Sequence, residues 1–170
     1  MKKIAVIFES LFGNTQTIAE AIAEGLRDGG DVSLHSTLDE VEVADVDLIV
    51  LGGPTHIHGM SRPSSRHGDD THGATLPGAE EGPGIREVIK SLPAGDRQPV
   101  ATFDTRLDKP AWLTGSAASV AGKRLERRGY RLIAAPESFI VEDTDGPLRA
   151  GELDHARMWG KTLLDRMSDA

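Results

Sequence analysis

No cysteine occurs in the 170 residues. Disulfides, thiolate nucleophiles and Cys-ligated iron–sulfur clusters are thereby excluded, and the chain suits a reducing, cytoplasmic setting. Aromatic residues make up only 4% of the sequence. The core must therefore be built mainly from aliphatic side chains. No stretch approaches the ~20 apolar residues that a membrane span requires. Positive charge is also in short supply. Lys and Arg total 19 against 27 Asp and Glu, for a net charge of −8. That balance argues against nonspecific nucleic-acid binding, which depends on clustered cations. It serves solubility, or docking to a basic partner. Walker loops, Gly-x-Gly-x-x-Gly turns and Gly-x-Ser-x-Gly elbows are missing, so nothing points to those phosphate-binding or hydrolytic classes.

What is present is a regular alternation. Met1-Lys2-Lys3 leads into an apolar run, Ile4 to Phe8, that stops at Glu9 without a small-residue cleavage pattern. It reads as a central parallel strand, buried on both faces, and not as a leader. Ile18, Ala21, Ile22 and Leu26 fall on one helical stripe, which Gly29-Gly30 ends. Asp31 to Ser36 predicts an outer strand, and the acidic stretch Leu38 to Val46 a single helical turn. Asp47 to Leu51 is a second strongly apolar strand, closed by Gly52-Gly53-Pro54. A helix with Ile85, Val88, Ile89 and Leu92 follows, then a strand at Val100 to Phe103 and a helix at Ser116 to Arg128. A last strand lies in Arg131 to Val141, interrupted near Pro136, and a closing helix carries Ala156, Trp159 and Leu163.

This order predicts one α/β domain over residues 1–170: a doubly wound, five-stranded parallel sheet in the order 2-1-3-4-5, with helices on both faces as a three-layer sandwich. Residues 61–84 break the rhythm. They are rich in Gly, Pro, Ser and charge, and read as a long loop, either a mobile insertion or a lid.

Ligands of such sheets bind beyond the carboxyl ends of the strands, where the strand order switches. Three loops lie there: Glu9 to Thr15, Gly52 to Met60 and Asp104 to Gly115. The first runs straight into a helix, whose N-terminal N–H groups and dipole suit an anion. Ser10, Asn14 and Thr15 add short polar side chains, and Gly13 permits close backbone approach. The same residues also make an ordinary helix cap; the residues alone leave both readings open. His56 and His58, with His67 and His72 further on, invite a zinc reading, but no carboxylate stands at a matching spacing and no metal is expected.

A strand followed by Ser10-Leu11-Phe12-Gly13-Asn14-Thr15 and an amphipathic helix resembles the phosphate-binding signature of the flavodoxin-like family. Leu51-Gly52-Gly53-Pro54-Thr55-His56 is similar to that family's second flavin loop, and Phe103-Asp104-Thr105 sits where its third belongs. The similarity runs along nearly the whole chain apart from residues 61–84. It implies FMN as cofactor, with its phosphate held by Ser10, Leu11, Phe12, Gly13, Asn14 and Thr15. Pro54, Thr55, His56, Ile57 and His58 would then flank the isoalloxazine ring on one side, and Asp104, Thr105 and Arg106 on the other. It implies an electron carrier working between a reductase and an acceptor, as yet unidentified redox partner proteins. The alternatives are a binding or regulatory module without flavin, or an NAD(P)H-dependent quinone or FMN reductase.

The sequence departs from the family pattern in three places. Phe12 replaces a usual hydroxyl residue. The second and third loops lack the customary Trp and Tyr, leaving His56, His58, Met60 or Trp112 to take their place. Arg106 brings positive charge where flavodoxins tend to keep negative charge, which implies a less reducing flavin.

Overall fold

The computed structural model describes residues 1–56, 59–66 and 76–169. Its centre is β1 (Lys2–Phe8), whose last five residues are all buried. An apolar run of that kind has no polar side to turn to water, so it pairs on both edges. It is parallel to β2 (Gly30–Ser36) on one side and to β3 (Leu48–His56) on the other. β3 in turn pairs with β5 (Pro99–Leu107). The outermost position is shared by β6 (Arg131–Leu132) and β7 (Glu137–Val141), both parallel to β5. The five positions therefore run in the expected order 2-1-3-4-5, with the last strand split in two around Pro136. Proline carries no N–H for the ladder, which is why the pairing lapses there.

Two helical layers cover the sheet. α1 (Asn14–Leu26) and α6 (Glu152–Ser168) bury Ile18, Ile22, Leu26, Trp159 and Leu163 against one face. α3 (Ile85–Ser91) and α5 (Ala117–Arg127) bury Ile85, Ile89, Ala121 and Leu125 against the other. Three of the chain's few aromatic rings meet in the first core. Phe103 lies 6.3 Å from Phe139 and 6.3 Å from Trp159, both edge to face. Such pairs add about 0.5–1.5 kcal/mol each beyond area burial.

Three local expectations are corrected. Leu38 to Val46 forms no helical turn, only turns and irregular chain. Gln98 explains how that stretch is held: its side-chain amide donates to the carbonyls of Val43 and Val46. Secondly, the segment opening at residue 61 is not all loop. β4 (Gly59–Met60) folds back antiparallel on the end of β3, and α2 (Pro63–Arg66) follows at once. Ser61 and Arg66 are buried, so this part is built into the body of the molecule. Thirdly, the loop after β5 carries a short helix, α4 (Ala111–Thr114). No helix among the described residues is long and apolar enough to cross a membrane.

Candidate functional site

The carboxyl ends of β1, β3 and β5 converge on a cleft of about 100 Å³, lined by Ser10, Leu11, Phe12, Asn14, Thr15, Pro54, Thr55, Thr105 and Arg106, with Leu107, Val141 and Thr144 at its edge. Nine of the fourteen residues singled out in the sequence thus share one wall. Among the described residues no carboxylate lines it, in a protein of net charge −8.

The hydroxyls of this wall are engaged in hydrogen bonds. Ser10 Oγ accepts the N–H groups of Gly13 (3.1 Å) and Gln16 (3.3 Å). Thr55 Oγ1 accepts the N–H of Ala117 at the start of α5 (3.1 Å). Each oxygen is engaged as an acceptor, and its own hydrogen stays available. Thr15 and Thr105 join hydroxyl to hydroxyl at 2.8 Å, which uses one O–H and leaves the other. Gly13 precedes α1 at φ 100°, a left-handed conformation that a side chain would strain. That turn leaves the first-turn N–H groups of Asn14 and Thr15 without intrahelical acceptors, at the positive end of the helix dipole. Arg106 adds a charge. Its Nη1 donates to the Lys109 carbonyl at 2.6 Å, while its buried Nε has no partner among the described residues.

A wall of donors with a cation and no acid fits a phosphate group. The ordinary-cap reading is corrected: Asn14 and Thr15 lie inside the helix and do not cap it, Gly13 holds the cap position without a side chain, and it is Ser10 that takes the Gln16 N–H while lining the cleft. The enclosed space is well below the ~300 Å³ that encloses a drug-sized ligand. A phosphate end fits inside, and a flat ring would rest across the outside.

A family model described as a flavodoxin domain matches residues 5–66. A flavodoxin from the domain Archaea superposes with a TM-score of 0.65 over 98% of this chain and 99% of that one, at 19% identity. The fold of this chain is flavodoxin-like. Flavodoxin 2 from Bacillus cereus superposes similarly, with a TM-score of 0.63 over 98% of each chain and 19% identity. An NAD(P)H dehydrogenase (quinone) from Archaeoglobus fulgidus is 33% identical over a match that takes in 36% of this chain and 47% of that protein. The matched part is therefore about half the length of that relative.

The remaining expected residues of this flavodoxin-like fold lie elsewhere. Gly13 shapes the loop without lining the cleft. Asp104 is fully buried and turns away. Its Oδ2 accepts from the Ser116 hydroxyl (2.7 Å) and the Ala118 N–H (3.0 Å), which caps α5. His56 faces Glu9, Ser65 and Arg66. Ile57 and His58, like His67 and His72, lie outside the described residues. Among the described residues no cluster of three or more His, Asp or Glu could hold a metal. Met60 is packed in the core, so it cannot cover a ligand, whereas Trp112 on α4 is 84% exposed.

Burial above all holds His56 below the ordinary histidine value. Glu9 and a hydrogen bond with the Ser65 backbone oppose this, and Arg66 reinforces it. The unfolded chain therefore takes up this proton more readily than the folded one. Stability should be intact above pH ~6.5 and should fall as the pH drops from there toward the folded value. In His56→Gln that loss should be shallower, which urea midpoints at about pH 7.5 and pH 5.5 would show. Equal losses in both proteins would refute the assignment.

Sequence reasoning passed over Ser61 and Glu87, which with Glu9 and Arg66 form a largely buried polar group. Glu9 accepts hydrogen bonds from the Ser61 hydroxyl and, at 2.9 Å, from the Ile85 N–H. Arg66 Nη1 reaches Ser61 Oγ (3.2 Å) and Glu87 (3.0 Å). Glu87 also accepts the Gly84 N–H at 2.9 Å, closing the start of α3. The only local signal was an acidic residue at a strand end where an apolar one would continue the run.

Proposed function

We propose that this chain binds FMN by its phosphate in the cleft at the head of α1, and carries electrons between a reductase and an acceptor. The observation that supports this most directly is the donor-rich lining: Ser10 and Thr55 each with a free O–H, one more O–H from the Thr15–Thr105 pair, two helix N–H groups and Arg106, with no carboxylate facing them among the described residues. The flavin, when bound, supplies one- and two-electron chemistry. The protein's part is to hold the phosphate, to place Arg106 near the ring, and to offer the exposed Trp112 as cover.

Protein purified without added cofactor and then titrated with FMN tests the reading. Flavin absorption bands, or saturable quenching of FMN fluorescence at micromolar concentrations, are expected. A colourless protein that leaves FMN fluorescence unchanged would discard the carrier and leave a binding module. Arg106→Ala should weaken FMN binding about tenfold, as expected for a charge-assisted contact, and should lower the midpoint potential. An unchanged or raised potential would show that the guanidinium does not act on the ring.

The likeness to the quinone dehydrogenase of Archaeoglobus fulgidus favours a second reading, direct NAD(P)H-dependent reduction of a quinone. Steady-state NAD(P)H oxidation in the presence of a quinone separates the two. A pure carrier turns over only when a reductase is added.

A further inference from the structure

Positive charge is scarce in this chain, yet three arginines gather at one place. The strip from Gly59 to Arg62 leaves the end of β3 and runs between α3 and α5. Val120 of α5 packs against Gly59, and Arg124 follows one turn later on the same face of the helix. From the other side Arg86, on α3, grips the strip, with Nε donating to the Ser61 carbonyl at 3.1 Å and Nη2 to the Met60 carbonyl at 3.2 Å. Arg62 continues directly from Ser61. The cations feel one another. Arg86 is held below the usual arginine range first by burial, then by the charges of Arg124 and Arg62, while Glu87 and Glu9 attract it more weakly.

Among the described residues no carboxylate forms an ion pair with any of the three. Arg86 is only partly exposed, and the two carbonyls already fix its guanidinium plane while Nη1 and one hydrogen of Nη2 remain to donate. A planar donor set fixed in advance loses little entropy on meeting a phosphate. Mutual repulsion among the three charges is relieved when an anion arrives.

We propose that Arg62, Arg86 and Arg124 form an anion site that takes the phosphate group of an organic phosphate. The site stands beside the cofactor cleft and is separate from it: the strip it surrounds pairs with Thr55 and His56, of which Thr55 lines the cleft. A ligand reaching from one to the other would be long and phosphorylated, as a pyridine dinucleotide is. That last step rests on the redox function proposed above; the anion site itself does not.

Calorimetric titration with inorganic pyrophosphate, NADPH and NADH, in about 150 mM salt where the screening length is ~8 Å, tests it. Saturable binding of pyrophosphate is expected in the wild type. Arg124→Gln, which removes a side chain with no hydrogen bond among the described residues, should weaken it about tenfold, as loss of one charged contact does. FMN quenching should be the same in both proteins, so a failure of the flavin reading would show separately. NADPH binding more tightly than NADH assigns the site to a terminal phosphate monoester. Equal binding of the two, lost together in Arg124→Gln, assigns it to the diphosphate. Equal affinities in wild type and Arg124→Gln would overturn the proposal. So would binding that vanishes at this salt concentration. Binding of polyglutamate without binding of pyrophosphate would also overturn it, and would make the patch a contact for an acidic protein.

Discussion

Replacing Gly25 or Gly160 with alanine is expected to destabilise the protein by about 3 kcal/mol or more, although alanine is the better helix former by ~1 kcal/mol. The two glycines lie where α1 and α6 cross. A Cβ on Gly25 would come within 2.1 Å of the Arg157 carbonyl oxygen, and one on Gly160 within 2.5 Å of the Ile22 carbonyl oxygen. The obstacle in both cases is backbone, which cannot rotate aside as a long side chain can. The helices would have to part, opening the core that Ile18, Ile22, Trp159 and Leu163 share. With total stability of ~5–15 kcal/mol, Gly25→Val or Gly160→Val should leave little folded protein. Urea midpoints with an unchanged slope are the measure. A higher midpoint in Gly160→Ala, the outcome that helix propensity alone would give, would show that the helices do not meet so closely.

Glu87→Ala is the second large effect, and its asymmetry with Arg66 is informative. The Arg66 side chain is only 4% exposed and that of Glu87 31%. Removing Glu87 strands a buried cation and frees the Gly84 N–H, a loss of about 3 kcal/mol for a broken buried pair. Removing Arg66 leaves a carboxylate that can turn to water. Arg66→Leu, which keeps the volume, should therefore cost clearly less than Glu87→Ala. Burial disfavours ionised Glu87, but its bonds to Arg66 and the Gly84 N–H outweigh that and hold it below the ordinary carboxylate value. Its contribution is present above the unfolded value near pH ~4.3 and is lost as the pH falls through the folded one. In wild type a thermal unfolding series should show this acid-side loss, and in Glu87→Ala it should be reduced. Equal destabilisation by the two variants would mean that the pair is wet enough to be replaced by solvent.

Both effects arise from contacts that join distant parts of the chain, and that marks how far the residues alone could be read. The continuous apolar run of β1, the stripes of α1, α3 and α6, and the glycine stops between them each reside within a few consecutive residues. Periodicity and turn chemistry are local properties, so the alternation of strands and helices was legible, and with it the 2-1-3-4-5 sheet. The donor loop from Ser10 to Thr15 was legible for the same reason, because a strand end, a glycine and a helix start follow one another directly. Where the site draws on separate segments, local reading lost its hold. Asp104 stands at the right strand end, but α5 claims its carboxylate. His56 faces the buried polar group. Arg66 falls in a segment that reads as a long loop, yet it is one of the three buried charged residues among those described.

What the sequence determined by itself is thus the order of elements, the sheet they form and the strand–glycine–helix build of the first loop, since each follows from neighbours in the chain. Only the tertiary structure decided which hydroxyls keep a hydrogen for the cleft, which glycines let α1 and α6 touch, and that Arg62, Arg86 and Arg124 share one place. Those depend on distances between residues far apart in the chain, which folding alone sets and no local pattern encodes.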